Sequence, residues 1–376
     1  MRILYIADSS SWHNAKWTEY FSEKHTVFLF SDFKKEYKPV HFQENIKIIQ
    51  VPPIFDTPNR HFNKLISLPF YIRKVKNIIE TEHIDIVHCV ALYYAFLGSF
   101  LKVNIPIIYT QQGSELLVRA KTSWFYRFMA KRVFRRVDTV TGDSLVIQAA
   151  GLLYGASAHN NYIVQNGVDL RQFKPGEELG STSSQLEASG KVRLYSPRGI
   201  TPLYNIDTIL NALAILKNKY EVHFVCQFTF GFGDEYLTSY KEKAKALDIE
   251  DNVDWIGYVD FSEMPKYYKN NDITISVPSS DSSPKSVYES MACGTPVVVS
   301  DLAWVKENLS DGHTVLCCDV KSASSLAYKL NSLIESPVLY KRLQRKAFDI
   351  VNNKLSYEKE MQKMELIMKS LVNGNK

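Results

Sequence analysis

The residues with the clearest capacity for chemistry lie in one short stretch, SSDSSPKSVYESMACGTPVVVSD, at positions 279–301. Asp281 stands in a serine-rich turn, Pro284 follows it, and Glu289 lies eight residues after Asp281 within a helical pattern. The first amides of a helix have no partner inside the helix and carry partial positive charge, which suits a phosphate or diphosphate. The stretch therefore predicts an anion site close to two carboxylates that can accept hydrogen bonds from hydroxyl groups.

Each residue type around this turn could serve such a site. Lys285 can add a cation and Ser286 a hydroxyl, while small side chains let the backbone approach an anion. Glu289 could accept hydrogen bonds from a pair of hydroxyls such as those of a ribose, and Asp281 could meet a sugar. The simpler interpretation makes Ser283 only a helix N-cap and Glu289 a solvated acid. Spacing alone favours the simpler interpretation.

Short apolar runs alternate with longer amphipathic stretches, and these elements must position the turn. The first half predicts strands at RILYIA, TVFLF, KIIQV, DIVHCVA, PIIYT, VDTVTG and NYIVQ. After Lys191 the alternation restarts, with strands at VRLYSP, EVHFVCQ, VDWIGYV, ITISVP, PVVVSD and HTVLCC. Such alternation is typical of βαβ units and parallel sheets. We therefore expect an α/β protein of two Rossmann-like, doubly wound domains that face each other across a cleft, with ligands beyond the strand C-termini.

The boundary between the two domains is expected at residue 172. The stretch FKPGEELGSTSSQLEASGK, residues 173–191, is polar and rich in Gly and Ser, as linkers and exposed loops are. Residues 1–172 and 173–357 would then form the two domains. The amphipathic C-terminal stretch SYEKEMQKMELIMKSLV lies outside the second alternation, so we expect residues 358–376 to complete the first domain.

Composition and motifs argue against several classes of protein. The five cysteines are scattered without metal-type spacing, which predicts reduced thiols in a cytosolic protein. The first strand is followed by DSSSWHN rather than G-x-G-x-x-G, and GFGDEY at Gly231 lacks the third glycine of a dinucleotide site. No window reaches the roughly 18 apolar residues of a membrane span, and the opening apolar run is too short for a signal-peptide core.

Four segments together resemble one large family. The stretch from Asp281 to Asp301 looks like the acid-(seven residues)-Glu signature of retaining GT-B glycosyltransferases, with Asp281 at the first, usually Glu, position and Glu289 at the second. VKENLSDG, NGVDLRQFKP and DNVDWIGYV resemble further segments of glycosyltransferase family four. The resemblance spans essentially the whole chain, and it favours the binding-site interpretation over the simpler one.

The resemblance implies a role for each matching residue. The amides of Ser286 and Val287, with Lys285 nearby, would hold the diphosphate of a nucleotide-sugar donor. Glu289 would bind the ribose and Asp281 the donor sugar. Arg198, in SPRGITPLYNID, falls near the basic residue that stabilises the leaving diphosphate, a task that a guanidinium performs without a metal. No metal or other cofactor is therefore expected.

Two further donor contacts and one departure follow from the same comparison. Tyr258 lies in the segment expected to flank the nucleotide base. Tyr204, in LYNID, stands where the family usually has a lysine, and it carries no charge. Arg198 and Lys285 would then take the electrostatic load, or catalysis is weak or absent.

The first domain is expected to bind the acceptor. Its candidate residues are His13 and Asn14 in the loop after the first strand, His88 at the end of a later strand, and Glu115 in YTQQGSEL. The family often has H-x-H at the position of His88, but here Val90 replaces the second histidine. A lone histidine at a strand end is commonly structural.

A basic stretch in the first half predicts a membrane contact. Residues 115–138 read ELLVRAKTSWFYRFMAKRVFRRVD, with a core-type stripe of Phe125, Phe128, Met129 and Val133. The aromatic residues Trp124, Tyr126 and Phe134 fall off this stripe and alternate with cations, as in interfacial helices. The excess of basic residues also lies in the first half of a chain whose net charge is +5. No nucleic-acid-binding module is recognisable, so nucleic acid is not an expected partner.

The expected function is transfer of a sugar from a nucleotide-sugar to a lipid-linked or cell-envelope glycan acceptor, with retained anomeric configuration. The protein would be cytoplasmic and peripheral at an anionic membrane face. Two alternatives stay open: a nucleotide-sugar epimerase or hydrolase of the same fold, and a non-catalytic binding protein, which Tyr204 and Val90 favour.

Overall fold

The computed structural model describes residues 1–32, 42–55, 57, 60–176, 191–228 and 234–374. Most of the predicted linker, and the GFG of GFGDEY, lie outside these residues. The chain divides into two compact units, the first made of Met1–Asn166 with Lys359–Lys376, and the second of Gly167–Glu358.

The first unit is built on a seven-stranded sheet with the order β3-β2-β1-β4-β5-β6-β7, in which every pairing is parallel. β1 and β4 are almost wholly buried, which explains their continuous apolar runs. The strand order reverses where β1 pairs with β4, and such a switch point is where doubly wound folds bind ligands. The strands are β1 (Arg2–Ile6), β2 (Thr26–Ser31), β3 (Lys47–Gln50), β4 (Ile86–Val90), β5 (Ile107–Thr110), β6 (Thr139–Gly142) and β7 (Asn161–Ile163).

Helices cover this sheet, and a π-helical turn, Glu115–Arg119, lies among them. The helices are α1 (Trp12–Ser22), α2 (Arg60–Thr81), α3 (Leu92–Gly98), α4 (Ala120–Thr122), α5 (Trp124–Phe134) and α6 (Leu145–Leu153). The C-terminal helix packs on the same unit, where Glu360 accepts a hydrogen bond from the Gln165 amide at 2.8 Å and Glu365 contacts His25 at 3.1 Å.

The second unit repeats the architecture with a six-stranded parallel sheet of order β10-β9-β8-β11-β12-β13. Its switch point lies between β8 and β11, the strands that lead to Arg198 and to Asp281. The strands are β8 (Lys191–Ser196), β9 (Glu221–Gln227), β10 (Val253–Gly257), β11 (Ile273–Ser276), β12 (Val297–Ser300) and β13 (Leu316–Cys318).

The helices that follow complete both units. They are α7 (Ile206–Leu216), α8 (Asp234–Ala246), α9 (Met264–Asn270), α10 (Lys285–Ala292), α11 (Val305–Asn308), α12 (Ala323–Glu335), α13 (Pro337–Lys354) and α14 (Tyr357–Gly374). Helix α13 was not among the predicted elements, although the Ser336 side chain accepts a hydrogen bond from the Leu339 amide and Pro337 is the first helical residue. Both units are thus the doubly wound α/β domains that the alternation predicts.

The division between the units differs from the expected one. Residues 167–172, expected in the first domain, belong to the second unit. Val168 pairs with Ser356 in an isolated parallel bridge, and the buried ring of Phe173 packs on Tyr268. The polar composition of residues 173–191 marked a loop, but it did not show that the preceding residues already pack on the second core.

Candidate active site

The loop between β8 and α7 carries Arg198, and Asn205 fixes its course. Asn205 adopts a left-handed conformation, with φ of 52°, and is buried. Its Nδ2 donates to the Val277 carbonyl at 2.8 Å, and its Oδ1 accepts from Ser279 Oγ at 3.1 Å. Because Val277 and Ser279 follow β11, this amide ties the Arg198 loop to the loop that leads to α10.

Arg198 binds two residues of that second loop. Its Nη2 donates to Asp281 Oδ2 at 2.8 Å, and its Nη1 donates to Ser286 Oγ at 3.1 Å. Only 15% of either charged side chain is exposed. Burial by itself lowers the pKa of Arg198, but Asp281 and Tyr204 outweigh it, and the pKa is raised. The guanidinium is therefore a fixed positive charge at the start of α10.

Tyr204 stacks on the guanidinium instead of adding a second charge. The Arg198 Cζ lies 4.7 Å from the centre of the Tyr204 ring. The ring lies against Gly199, where an added Cβ would come within 3.2 Å of it. The tyrosine that replaces the family's usual lysine thus orients Arg198 through a cation–π contact, which the sequence analysis did not foresee.

Glu289 lies beneath this cluster, on α10, with 4% of its surface exposed. Tyr268 Oη donates to its Oε2 at 3.1 Å, and Lys285 Nζ lies 3.9 Å from its Oε1. Burial raises the pKa of Glu289, while Lys285, the Tyr268 hydroxyl and Arg198 oppose the shift. The carboxylate is held in one orientation, as a precise hydrogen-bond acceptor must be.

The start of α10 offers fewer amides than predicted. The Val287 N–H already donates to the Pro284 carbonyl at 3.0 Å, so an anion would have to compete for it. Within the described part of the chain, the Ser286 N–H has no hydrogen-bond partner. The Ser286 hydroxyl accepts from Arg198 and keeps its own proton to donate. Tyr258, the predicted base contact, follows β10 and is half exposed.

A pocket of about 610 Å³ lies in the first unit, at the carboxyl ends of its strands. Asn14 and Glu115, two of the predicted acceptor residues, line it together with Asp8, Lys64 and Tyr93. Asn14 Nδ2 donates to the Asp8 carbonyl at 2.8 Å, which holds the first loop in place.

Glu115 is the most perturbed acid of this pocket. The Leu92 N–H donates to its Oε2 at 2.7 Å. Burial raises its pKa to about 7, against the effects of the Leu92 amide, Arg119 and Lys64. Ala91, just before Leu92, has φ of 76° and ψ of 152°, a region that strains any residue except glycine. The strained residue aims the next amide at the carboxylate.

Lys64 is a pocket residue that sequence reasoning missed. Its Nζ pairs with the buried Asp32 at 2.9 Å and lies 4.2 Å from the centre of the Tyr93 ring. Asp32 also accepts a hydrogen bond from the Tyr94 hydroxyl. No local motif marks these residues, because they come from three separate elements.

Comparison with known proteins identifies the family. Residues 2–144 match the glycosyl transferase 4-like family model, and residues 182–349 match the model of the glycosyl transferases group 1. The chain belongs to the group 1 glycosyl transferases. It is a glycosyltransferase that uses a nucleotide-sugar donor.

Individual relatives of this glycosyltransferase agree with that assignment. It is 26% identical to alpha-monoglucosyldiacylglycerol synthase of Streptococcus pneumoniae over 316 residues, 78% of this chain and 68% of that protein. Sucrose-phosphate synthase from Thermosynechococcus elongatus has a similar structure, with a TM-score of 0.86 and 16% identity over 100% of both chains. Anabaena HepE in complex with UDP and glucose gives 0.81 at 15% identity, over 98% of this chain and 100% of HepE. These likenesses confirm the GT-B fold.

The structure contradicts the acceptor role predicted for His88 in this glycosyltransferase. Its side chain has no exposed surface, its Nε2 contacts Thr110 Oγ1 at 2.7 Å, and its ring packs 4.8 Å from that of Tyr5. Burial lowers the pKa of His88 to about 3, so it is neutral. It is a core residue because β4 is buried on both faces. His13 is exposed on α1 and does not line the pocket.

The basic helix α5 also differs in part from its prediction. Phe128, expected to face the core, is 51% exposed, whereas Phe134, expected off the core stripe, is buried. The inward face follows Met129, Ala130, Val133 and Phe134 instead. Arg132 is engaged by the first unit itself, since its Nε donates to Ser99 Oγ at 3.1 Å and its Cζ lies 3.8 Å from the Phe100 ring centre.

The described residues offer neither a metal site nor a membrane-spanning helix. They contain no cluster of three or more His, Cys, Asp or Glu side chains that could hold a metal ion. None of the helices in the described ranges is long and apolar enough to cross a membrane.

Proposed function

We propose that this glycosyltransferase transfers a hexose, with retained anomeric configuration, from a UDP-sugar to a lipid-linked or cell-envelope glycan acceptor at an anionic membrane surface. The observation that carries the proposal is the Arg198–Asp281–Ser286 cluster beside the buried Glu289. UDP as the carrier is favoured by the structural likeness to HepE, whose complex contains UDP and glucose.

Each donor group has a partner in this cluster. Glu289 accepts hydrogen bonds from the ribose hydroxyls, and Tyr258 contacts the base. The Ser286 amide and hydroxyl, with Lys285 and Arg198, bind the diphosphate, and Val287 contributes its amide only if the bond to Pro284 opens. Asp281, which binds Arg198 through one carboxylate oxygen, also accepts a hydrogen bond from a hydroxyl of the donor sugar.

Arg198 supplies the main catalytic stabilisation. In the reaction the bond from the anomeric carbon to the diphosphate oxygen breaks, and a bond from that carbon to an acceptor oxygen forms. The departing diphosphate gains negative charge as its bond to the sugar breaks, and it takes up the proton that the acceptor hydroxyl loses. A positioned guanidinium neutralises this charge without reorganising at the moment of reaction, because Asp281 and Tyr204 already fix it.

The acceptor belongs to the pocket of the first unit. Asn14 and Glu115 can bind hydroxyl groups there. A lipid-linked acceptor is supported by the name of the Streptococcus pneumoniae relative, a glucosyldiacylglycerol synthase, and by the exposed cations of α5. Arg127 and Lys131 lie exposed on that helix and Arg135 directly after it, and we propose that they contact anionic lipid.

The test is a donor screen followed by product analysis. We expect calorimetry to show binding of UDP-hexoses in preference to GDP- and ADP-sugars. With a membrane-lipid extract, the wild type should release UDP and form a glycolipid whose anomeric configuration, read by NMR, matches that of the donor. An inverted product would refute retention. Sugar release or epimerisation from donor alone, unaffected by lipid, would establish the hydrolase or epimerase alternative.

Tyr204 leaves the donor site one cation short of the family pattern, so we expect turnover to be slow and Tyr204→Lys to raise it. Equal UDP release by Tyr204→Lys and wild type would show that the missing cation does not limit the reaction.

A further inference from the structure

In the N-terminal half of α2 the polar residues face the interior and the apolar residues face solvent, the reverse of an ordinary surface helix. Its inward positions Asn63 and Ser67 are polar and fully buried, whereas Phe62, Leu65 and Ile66 are exposed large apolar residues. The spacing 62, 65, 66 is that of one helix face, and Phe62 leaves 51% of its surface exposed. Only from Leu68 onward does the apolar face turn toward the core.

The buried polar residues explain the inversion, because they bind the loop before the helix. Ser67 Oγ accepts from the Ile54 amide at 2.9 Å, and Asn63 Nδ2 donates to the Thr57 carbonyl at 2.7 Å. Ile54 and Thr57 thus bind the polar face of α2 through their backbone, and the side chains of Ile54 and Phe55 stay exposed. We call Ile54, Phe55, Phe62, Leu65 and Ile66 together the α2 apolar surface.

This surface adjoins the pocket, and α5 lies on the opposite wall. Leu65 belongs both to the α2 apolar surface and to the pocket lining, which also includes Phe125 and Tyr126 at the start of α5. Helix α3 joins the two sides, since the Tyr93 hydroxyl donates to the Lys64 carbonyl at 3.2 Å and Phe96 packs 6.2 Å from Phe128.

Both sides combine exposed apolar side chains with positive charge. Trp124 and Phe128 are exposed on α5 next to Arg127 and Lys131. Residues 60–79 of α2 contain no acidic residue, and Arg73 and Lys74 are exposed about two turns beyond the apolar surface. Residues 119–137 are likewise free of Asp and Glu. An apolar face bordered by cations and lacking acids is complementary to an anionic bilayer.

We propose that the α2 apolar surface is a second membrane-docking element, and that α2 and α5 together seat the mouth of the pocket on an anionic bilayer. Membrane docking by the α2 apolar surface is inferred from the geometry of the first unit alone. Its consequence for the acceptor rests on the proposed function: the acceptor headgroup enters the pocket directly from the bilayer.

The pocket chemistry narrows the class of that headgroup. Glu115 and Asp8 offer oxygen acceptors, and both cations of the lining are engaged: Lys64 pairs with Asp32, and Arg119 donates to the Tyr126 hydroxyl at 2.8 Å. Acceptor oxygens bind hydroxyl donors and repel phosphate, so the geometry favours an uncharged polyol headgroup, such as a glycerol or sugar hydroxyl. The anionic lipids that attract the cations of α2 and α5 then surround the acceptor lipid in the bilayer and are not themselves the acceptor.

The experiment measures binding of the full chain to vesicles of phosphatidylglycerol and phosphatidylcholine. The variant Phe55→Ser/Phe62→Ser/Ile66→Ser, which spares the pocket-lining Leu65, should partition at least about tenfold more weakly than wild type, because it removes apolar area that would enter the bilayer boundary. Leu153→Ser is the matched control, since Leu153 is 74% exposed in the same unit but lies on α6. It should bind as wild type does.

A fluorescence reading tests the geometry directly. In a Trp124→Phe background, which removes the exposed native tryptophan of α5, Phe62→Trp should add a blue shift with the vesicles and quenching by brominated lipid, and Leu153→Trp should add neither. Equal vesicle binding by wild type and the triple variant would overturn the proposal. So would loss of transfer to a water-soluble acceptor in the triple variant, which would assign the surface to a protein partner or to the fold.

UDP affinity, measured without lipid, separates this inference from the proposed function. The triple variant should keep it. If the wild type binds vesicles through α2 but binds no UDP-sugar, the proposed function fails and the docking surface stands. If it transfers sugar but ignores the vesicles, the docking proposal fails alone. Acceptance of only phosphate-bearing headgroups would refute the assignment to an uncharged polyol.

Discussion

Replacing Glu289 by Gln should weaken nucleotide binding without unfolding the protein. The carboxylate is buried and held by Tyr268, with Lys285 as the closest cation. Gln has the same shape and can still accept the Tyr268 hydrogen bond through its amide oxygen. What it loses is the charge that strengthens the hydrogen bonds from a ribose.

The size of the effect follows from that loss. Hydrogen bonds to a charged group contribute about 1.5–3 kcal/mol, which corresponds to roughly a 10- to 150-fold rise in Kd. The upper part of this range is expected, because the site is dry and Glu289 is only 4% exposed. The fold should tolerate the change, since burial already raises the pKa of Glu289 and thus opposes its charged form.

Calorimetry with UDP and with uridine is the assay. Uridine has no phosphate to titrate, so its affinity should rise with pH as Glu289 loses its proton and then level off. Glu289→Gln should abolish this dependence. Glu263→Gln, an exposed acid paired with Lys266 in the same unit, is the control and should change nothing. Unchanged uridine and UDP affinity in a folded Glu289→Gln protein would refute the assignment and make the residue a structural acid.

Three further outcomes are expected. Arg198→Ala should lower kcat roughly 10²- to 10³-fold while Tyr204→Phe costs far less, measured by UDP release; equal rates for Arg198→Ala and wild type would misplace the diphosphate. Burial raises the pKa of Glu115 to about 7, so the free energy of unfolding should fall as pH rises from about 4.5 through 7. Glu115→Gln should reduce this pH dependence in thermal unfolding, and an equal pH dependence in wild type and variant would contradict the prediction. Gly167→Ala should destabilise the protein by about 1–3 kcal/mol in denaturant unfolding, because the φ of Gly167 is +63° and the Cβ of an alanine there would lie 2.5 Å from the Tyr357 Cα. The control Gly176→Ala should leave stability unchanged, because no atom lies within 4 Å of the added Cβ.

The strand alternation was sufficient to predict both sheets, because parallel strands buried on two faces leave continuous apolar runs. Helix α3 was harder, since its seven mostly buried residues form an apolar run too short to show a helical period. The apolar spacing at 62, 65 and 66 of α2 predicts an inward face, but the face points outward. Only the hydrogen bonds of Asn63 and Ser67 to the preceding loop reveal this, and no local pattern encodes them.

The grouping of the proposed donor residues was predictable from the strand pattern, since Arg198 and Asp281 follow the adjacent strands β8 and β11. Their contact at 2.8 Å agrees with that placement. The stacking of Tyr204 and the engaged Val287 amide were not predictable, because both depend on the exact course of a turn. His88 shows how residue type can mislead. A histidine suggested a role in chemistry, but His88 lies in a strand that is buried on both faces and is therefore a core residue.

The discontinuous first unit has a consequence for how the chain folds during its synthesis. Helix α14 fills part of that unit's core with Met361, Met364 and Met368, all without exposed surface, yet it is made after every residue of the second unit. The second unit can therefore fold on the ribosome while the first still lacks its last helix. Until residues 359–374 emerge, the part of the first unit that buries these methionines stays open to solvent. A chaperone would be needed at this stage, and a truncation that removes the three methionines would do far more harm than one confined to residues 369–374, none of which is buried.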